Sequence, residues 1–136
     1  MRRKPFITAT CSALLLVAFS HCGGSITEPG PTILPVGRWS GGGACLSVTD
    51  SACDLVVGCG HGQFPRPALR PDGTFDVDGT WRIEVGPVSP NPAPPAHFSG
   101  ALDGSRLTLT VTPSGQSSAV YSMTFGAPAT CAVPCV

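Results

Sequence analysis

Beyond about residue 36, apolar and polar residues alternate along the chain in short runs, and this period of two predicts β-strands. The run 74–85 is the clearest of them, because it alternates without a slip. We expect this run to bend at Gly79 into two strands or a corner. Its apolar face is predicted to lie in the core and carries Phe75, Val77, Trp81, Ile83 and Val85.

Turn residues divide the rest of the chain into further short strands. The runs 46–49 and 53–59 alternate on either side of a turn at 50–51. A shorter strand, 63–69, contains two prolines, which lack the N–H that a central strand needs. The last strand is predicted over 119–125.

The sequence Asp103-Gly104 is a strong signal for a two-residue hairpin. Pairing outward from it places Gly100 opposite Leu107 and Phe98 opposite Leu109. The apolar positions of both strands then face the same side.

About eight short strands joined largely by hairpins predict an all-β fold, a small antiparallel meander that closes into a barrel, with a sandwich as the alternative. Closure removes the exposed strand edges of such a meander. The 17 glycines and 15 prolines suit many turns rather than helices. We assign 36–136 to this one domain.

The N-terminal stretch has the parts of an export signal. Arg2, Arg3 and Lys4 precede an apolar block at 13–19, and small residues follow it. The apolar block is too short to span a bilayer as a helix. We therefore expect 1–21 to be a signal peptide and the rest of the chain to enter an oxidising compartment.

The residues around Cys22 resemble the signal of bacterial lipoproteins, in which a cysteine after a small-residue box is lipidated and becomes the first residue. The resemblance implies a lipid on Cys22 and a flexible linker over 22–35. It also implies a membrane-anchored protein facing the periplasm or the cell surface. The alternative is ordinary signal cleavage after Ser20, which gives a soluble periplasmic or secreted protein.

Two further resemblances concern the domain. Gly37-Arg38-Trp39 is similar to the G-x-W opening of lipocalin-like (calycin) barrels. The span 37–135 also resembles a group of uncharacterised exported bacterial β-domains, and that resemblance implies no activity. Its shared positions are Trp39, Cys59-Gly60-His61-Gly62, Asp72-Gly73-Thr74-Phe75, the hairpin 103–111 and Cys135.

Charge limits the partners. Outside the signal the chain carries five arginines and no lysine against eight acidic residues, a net charge of −3. A chain without a basic cluster lacks the electrostatic footprint of a nucleic-acid-binding protein. We expect no nucleic-acid partner.

Five cysteines lie outside the signal and the anchor, and an oxidising compartment favours disulfides among them with one cysteine left free. The resemblance to the exported β-domains favours Cys59 with Cys135, which would join early strands to the end of the domain. Because Cys53 is predicted to face inward and Cys45 outward, Cys53 with Cys131 is the preferred second bridge. Other pairings remain open.

Metal binding and catalysis are the sharper alternatives. Cys59, His61, Cys131 and Cys135 are ligand types that copper and zinc select, but disulfide-bonded cysteines do not ligate metals. Neither His61 nor His97 lies in a nucleophile motif. We expect no metal, no cofactor and no enzymatic activity.

Two functions remain. The first is a structural or interaction module of the cell envelope, held at a membrane through Cys22 and presenting the loop 87–95 and threonine-rich strand faces to an envelope protein. The second is a barrel that binds a small apolar ligand in its mouth. A packed centre excludes the second function, whereas an open ring of aromatic side chains favours it. The candidate lining residues are Trp39, Trp81, Phe98, Tyr121 and Phe125.

Overall fold

The computed structural model of the protein describes Gly24, 28–84, 91–127 and Cys131. These residues form an all-β fold in which eight antiparallel strands close into a barrel in chain order, as predicted. Among them there is no helix long and apolar enough to cross a membrane. The strands are β1 Gly37–Gly41, β2 Ala44–Val48, β3 Ala52–Val57, β4 Gly60–Pro65, β5 Thr74–Ile83, β6 Pro95–Asp103, β7 Arg106–Pro113 and β8 Ala119–Phe125.

Alternate residues of every strand point into the barrel and form one apolar core. On β5, Phe75 and Trp81 are buried as the alternation predicts, but Ile83, predicted on the same face, lies at the end of the strand and is 43% exposed. The predicted inward residue Val85 lies outside the described part of the chain. The strand β5 is continuous through Gly79, but only its second half pairs with β4. The buried core residues include Trp39, Leu46, Leu55, Phe64, Phe98, Leu107, Leu109, Val111 and Met123.

Glycines on the inner surface make room for the large rings. A Cβ atom added at Gly100 would lie 2.5 Å from Cε1 of Phe75, and one at Gly62 would lie 3.0 Å from Cε1 of Phe98. Gly60 stands against the indole of Trp81 in the same way. The barrel is thus filled by pairing large rings with positions that carry no side chain.

The β6–β7 hairpin corrects the predicted register. The turn is centred on Gly104-Ser105, with Gly104 at φ 57°, so Phe98 lies opposite Val111 and Gly100 opposite Leu109. Glycine at the first central position with a positive φ fits a type II′ turn. The predicted pairs were wrong by two residues, and because the side-chain period is also two, the inward set is unchanged.

The β3–β4 region also differs from the prediction. Strand β3 ends at Val57, and Cys59 lies in the turn that follows rather than on the inward strand face. The glycine-rich sequence after it does not break the sheet, because Gly60 and Gly62 begin β4 and face the rings of the core.

One end of the barrel is covered by the chain segment 28–36, called the strap here. The strap end also holds the turn 49–51, the loop 66–73 and the turn 104–105, while the far end holds 42–43, 58–59 and 114–118. Leu69 N–H donates to Thr32 O at 2.8 Å, and Leu34 N–H donates to the carbonyl of residue 67 at 3.1 Å. Leu34 is fully buried and belongs to the barrel core. The second half of the predicted linker 22–35 is therefore bound to the barrel.

The barrel closes through a short seam between β1 and β8. Only two residue pairs join these strands, Trp39 with Phe125 and Ser40 with Thr124. The chain then crosses β1, where Gly126 N–H donates to Arg38 O at 2.8 Å. The Ser40 hydroxyl donates to the carbonyl oxygen of residue 127 at 2.9 Å.

A disulfide between Cys45 and Cys131 completes this crossing, with the two Cα atoms 5.7 Å apart. The predicted bridge between Cys53 and Cys131 is wrong, since Cys53 is a free cysteine buried in the core. Ala127 accepts a hydrogen bond from the Ser40 side chain of β1, and Cys131 is bonded to the outward Cys45 and not to the inward Cys53. Cys59 is also disulfide-bonded. Its predicted partner, Cys135, lies outside the described residues, so that pair stays a prediction.

Candidate functional site

The five aromatic residues predicted to line a cavity do not surround an open space together. Phe98 is 0% exposed and stacks on Phe64 with ring centroids 4.3 Å apart. Trp39 is buried as well and meets Phe125 edge-on at 4.9 Å. Side chains of the protein itself therefore occupy the centre of the barrel.

The remaining three lie nearer the margins of the core. Trp81 is 7% exposed and packs against Gly60 and Gly62. Tyr121 is half-buried, and Phe125, at the strap end of β8, is 44% exposed. The indole N–H of Trp39 is buried without a hydrogen-bond partner in the described structure.

The sulfur and imidazole groups of the predicted metal alternative are occupied elsewhere. Cys59 and Cys131 are in disulfides, and His61 Nε2 lies 3.1 Å from Glu84 Oε2. Burial raises the pKa of the free Cys53 thiol to about 12, so this group is a protonated part of the core at neutral pH. In the described ranges, no three His, Cys, Asp or Glu side chains are placed to hold a metal ion.

A charged cluster lies on the outer face of β5 and β6. His97 Nδ1 is 2.9 Å from Asp78 Oδ1, and His97 Nε2 is 3.0 Å from Asp76 Oδ1. Arg70 Nη2 donates to Asp76 Oδ2 at 2.7 Å. The pKa of His97 is raised, mainly by its hydrogen bond to Asp78 and next by its hydrogen bond to Asp76. The pKa of Asp76 is lowered, mainly by the hydrogen bond that it accepts from Arg70.

We expect the pKa of His97, followed by NMR titration, to lie above its ordinary value of about 6.5. Asp78→Asn and Asp76→Asn should each lower it, whereas Asp54→Asn, on the outer face of β3, should not. Because folding raises this pKa, the stabilisation is fully present below about pH 6.5 and is lost as the pH rises through the folded-state pKa. If neither substitution changed the pKa of His97, the two carboxylates would not be the cause of its raised value.

A pocket lies beside the strap, at the mouth of the barrel. This mouth pocket has a volume of about 610 Å³ and is formed by the segments 28–32, 69–73 and 102–104. None of the five predicted aromatic residues lines it. A smaller pocket of about 190 Å³ lies beside the Cys45–Cys131 disulfide, on the outer face of β1–β3.

The sequence does not predict the mouth pocket, because it predicts a flexible linker over 22–35 where the structure has the strap. Its prolines, Pro29, Pro31 and Pro35, suggested a semi-extended tether. The available signal was the apolar pair Ile33-Leu34 in the middle of that tether, since an apolar pair in a tether is typical of a segment that packs on a domain.

Comparison with known proteins does not assign the chain to a family or a function. No protein family matches the chain, and the searches of curated proteins and of solved structures give no match. The function is therefore inferred from the residues and geometry above.

Proposed function

We propose that the protein is an exported module of the cell envelope, tethered to a membrane by a lipid on Cys22, that acts through its outer surface. The observation that carries this proposal is the filled interior. Phe75, Phe98 and Trp39 are all buried at the centre, and inner-surface glycines are taken up by neighbouring rings. A barrel packed in this way favours a rigid interaction module over a carrier of a small apolar ligand.

The strap gives the tethered module an orientation. The span from Cys22 to Glu28 can reach at most about 20 Å when fully extended. A lipid on Cys22 would therefore hold the strap end of the barrel close to the membrane surface. The far end would then point away from the membrane, toward an envelope partner.

The far end and the outer strand faces carry groups suited to a protein partner. Val120 is 63% exposed and Ile83 is 43% exposed. The outer face of β7 presents Thr108, Thr110 and Thr112. The loop 87–95, the other predicted contact, lies partly outside the described residues.

The proposal includes a non-catalytic role without a nucleic-acid partner. The ring nitrogens of His97 contact carboxylates on an exposed strand face, and the Nε2 atom of His61 contacts Glu84. Within the described part of the chain, neither histidine is hydrogen-bonded to a hydroxyl or thiol that it could activate as a nucleophile. The net charge of −3 outside the signal argues against binding to nucleic acid.

The test is fractionation and intact-mass analysis of the protein from a bacterial host. We expect the protein in the membrane fraction with an acylated Cys22 as its first residue, and Cys22→Ala without the acyl mass and without cleavage before residue 22. Cys11→Ala is the matched control, since Cys11 lies inside the predicted signal, and it should leave both results unchanged. A soluble product that starts at His21 would contradict the tether and favour cleavage after Ser20.

A further inference from the structure

The mouth pocket has fixed walls. On one side the strap is held by the Thr32–Leu69 hydrogen bond and by the bridge between Ile33 and Ala68. On the other side Leu102 N–H donates to Gly73 O at 2.9 Å, which joins the β6–β7 hairpin to the loop 66–73. Backbone hydrogen bonds on both sides make the pocket pre-formed, so a ligand need not order it.

The inner surface of the pocket is apolar. Leu69 and Leu102 are half-buried and pack against the barrel core. Prolines at 29, 31 and 71 add apolar surface to the walls. The volume of about 610 Å³ falls within the range of small-molecule sites, which runs from about 300 to 1,000 Å³.

The rim of the pocket is acidic. Glu28, Asp72 and Asp103 belong to the lining, and Arg70 is the one cationic residue among its described members. The Arg70 guanidinium is engaged by Asp76 Oδ2 at 2.7 Å and by Thr74 Oγ1 at 3.2 Å. The rim therefore carries three carboxylates, and its only cation is already paired outside the pocket.

Asp72 is held in its charged form. Its Oδ1 atom accepts hydrogen bonds from the hydroxyl of Thr74 at 2.6 Å and from the backbone N–H of Thr74 at 3.1 Å. These bonds lower the pKa of Asp72. Arg106, which lies opposite Asp103 across the hairpin, is not part of the lining.

The geometry points to the mouth pocket as a binding site for a small amphipathic cation, an organic amine with an aliphatic or aromatic body. Leu69 and Leu102 would contact the apolar body, and Asp72 and Asp103 would face the ammonium group. This inference goes beyond the proposed tethering role and does not depend on it. An anion of the same size would meet the carboxylates at the rim, and a neutral analogue would gain only the apolar contacts.

The test compares three probes with the same eight-carbon body: octylammonium, octanol and octanoate. The chain from residue 22 onward with Cys22→Ala is used, because it carries neither the proposed lipid site nor the apolar block of the predicted signal, and detergent is then unnecessary. Calorimetry and amide NMR in low salt should show saturable binding of octylammonium, with shifts at Leu69, Gly73 and Leu102. Octanoate should bind at least about tenfold more weakly, and added salt should weaken octylammonium binding.

Matched substitutions locate the site. Asp72→Asn with Asp103→Asn should weaken octylammonium binding about five- to tenfold. The amide oxygen introduced at position 72 would still accept the Thr74 hydrogen bonds, so the fold is retained. Asp50→Asn removes an acid at the same end of the barrel but outside the lining and should leave binding unchanged.

Three results would overturn the inference. The first is octanoate binding as tightly as octylammonium, which would show that the rim charge has no part in binding. The second is equal binding by the parent and the double asparagine variant. The third is octylammonium shifts confined to the outer face of β1–β3, beside the Cys45–Cys131 disulfide.

Discussion

Replacing both Cys45 and Cys131 with serine is expected to lower the free energy of unfolding by about 3 to 5 kcal/mol. The disulfide links residues 86 apart in sequence, so it removes from the unfolded chain the entropy of closing a long loop. It also lies beside the seam where β1 and β8 share only two residue pairs. Urea unfolding should show the loss as a fall of about 2 M in the midpoint.

The control for this experiment is Cys53→Ala, which removes a cysteine without breaking a disulfide. Loss of one buried thiol should cost about 1 kcal/mol. A double serine variant within about 1 kcal/mol of the parent protein would show that the seam is stable without its covalent link.

Truncating Phe98 to alanine is expected to cost about 3 to 5 kcal/mol. The ring is fully buried, stacks on Phe64 and fills the space that Gly62 leaves open. The ring lies in the closed interior of a barrel whose strands are fixed by hydrogen bonds, so the surroundings cannot collapse into the cavity. Chemical unfolding measures the loss, and Phe98→Leu, with an expected cost of about 1 to 1.5 kcal/mol, gives a milder variant if alanine prevents folding.

Phe125→Ala deletes the same atoms at the last residue of β8, where the ring is 44% exposed and packed on one side against Trp39. We expect it to cost about 1 to 2 kcal/mol. Equal losses at the two positions would contradict a packed centre and would favour the alternative, an open barrel lined by aromatic side chains.

The alternation along the chain predicts the barrel well because each strand has one solvent-exposed face and one buried face. On β5, counting by two predicts the buried residues Phe75 and Trp81, whereas Ile83 on the same face is 43% exposed at the end of the strand. The hairpin register is less determined, since Asp103-Gly104 and Gly104-Ser105 both provide a glycine at the turn. The structure uses the second pair. The pairing is shifted by two residues from the predicted one, so the same side chains still face into the barrel.

The disulfide and the mouth pocket depend on paths outside the strands, which periodicity does not describe. Cys53 was predicted as the partner of Cys131 because it faces inward, but Ala127 accepts a hydrogen bond from the Ser40 side chain of β1 and Cys131 is bonded to the outward Cys45. The pocket likewise depends on where the strap crosses the mouth. Leu34 signals this crossing by its apolar side chain, but local composition does not say which strands it reaches.

The seam between β1 and β8 is also expected to be the last strand pairing to form. Each of the pairings from β1–β2 to β7–β8 joins neighbours in sequence, so each hairpin can form as soon as its second strand has been made. The pairing of β1 with β8 has no such local route. The first strand keeps an unpaired edge until β8 folds against it, and after export Cys45 keeps an unpaired sulfur until it meets Cys131. Throughout that interval Cys53 and Cys59 are the nearest thiols to Cys45 in sequence. Rapid oxidation would therefore favour an incorrect bridge from Cys45 to one of them over the correct bridge to Cys131.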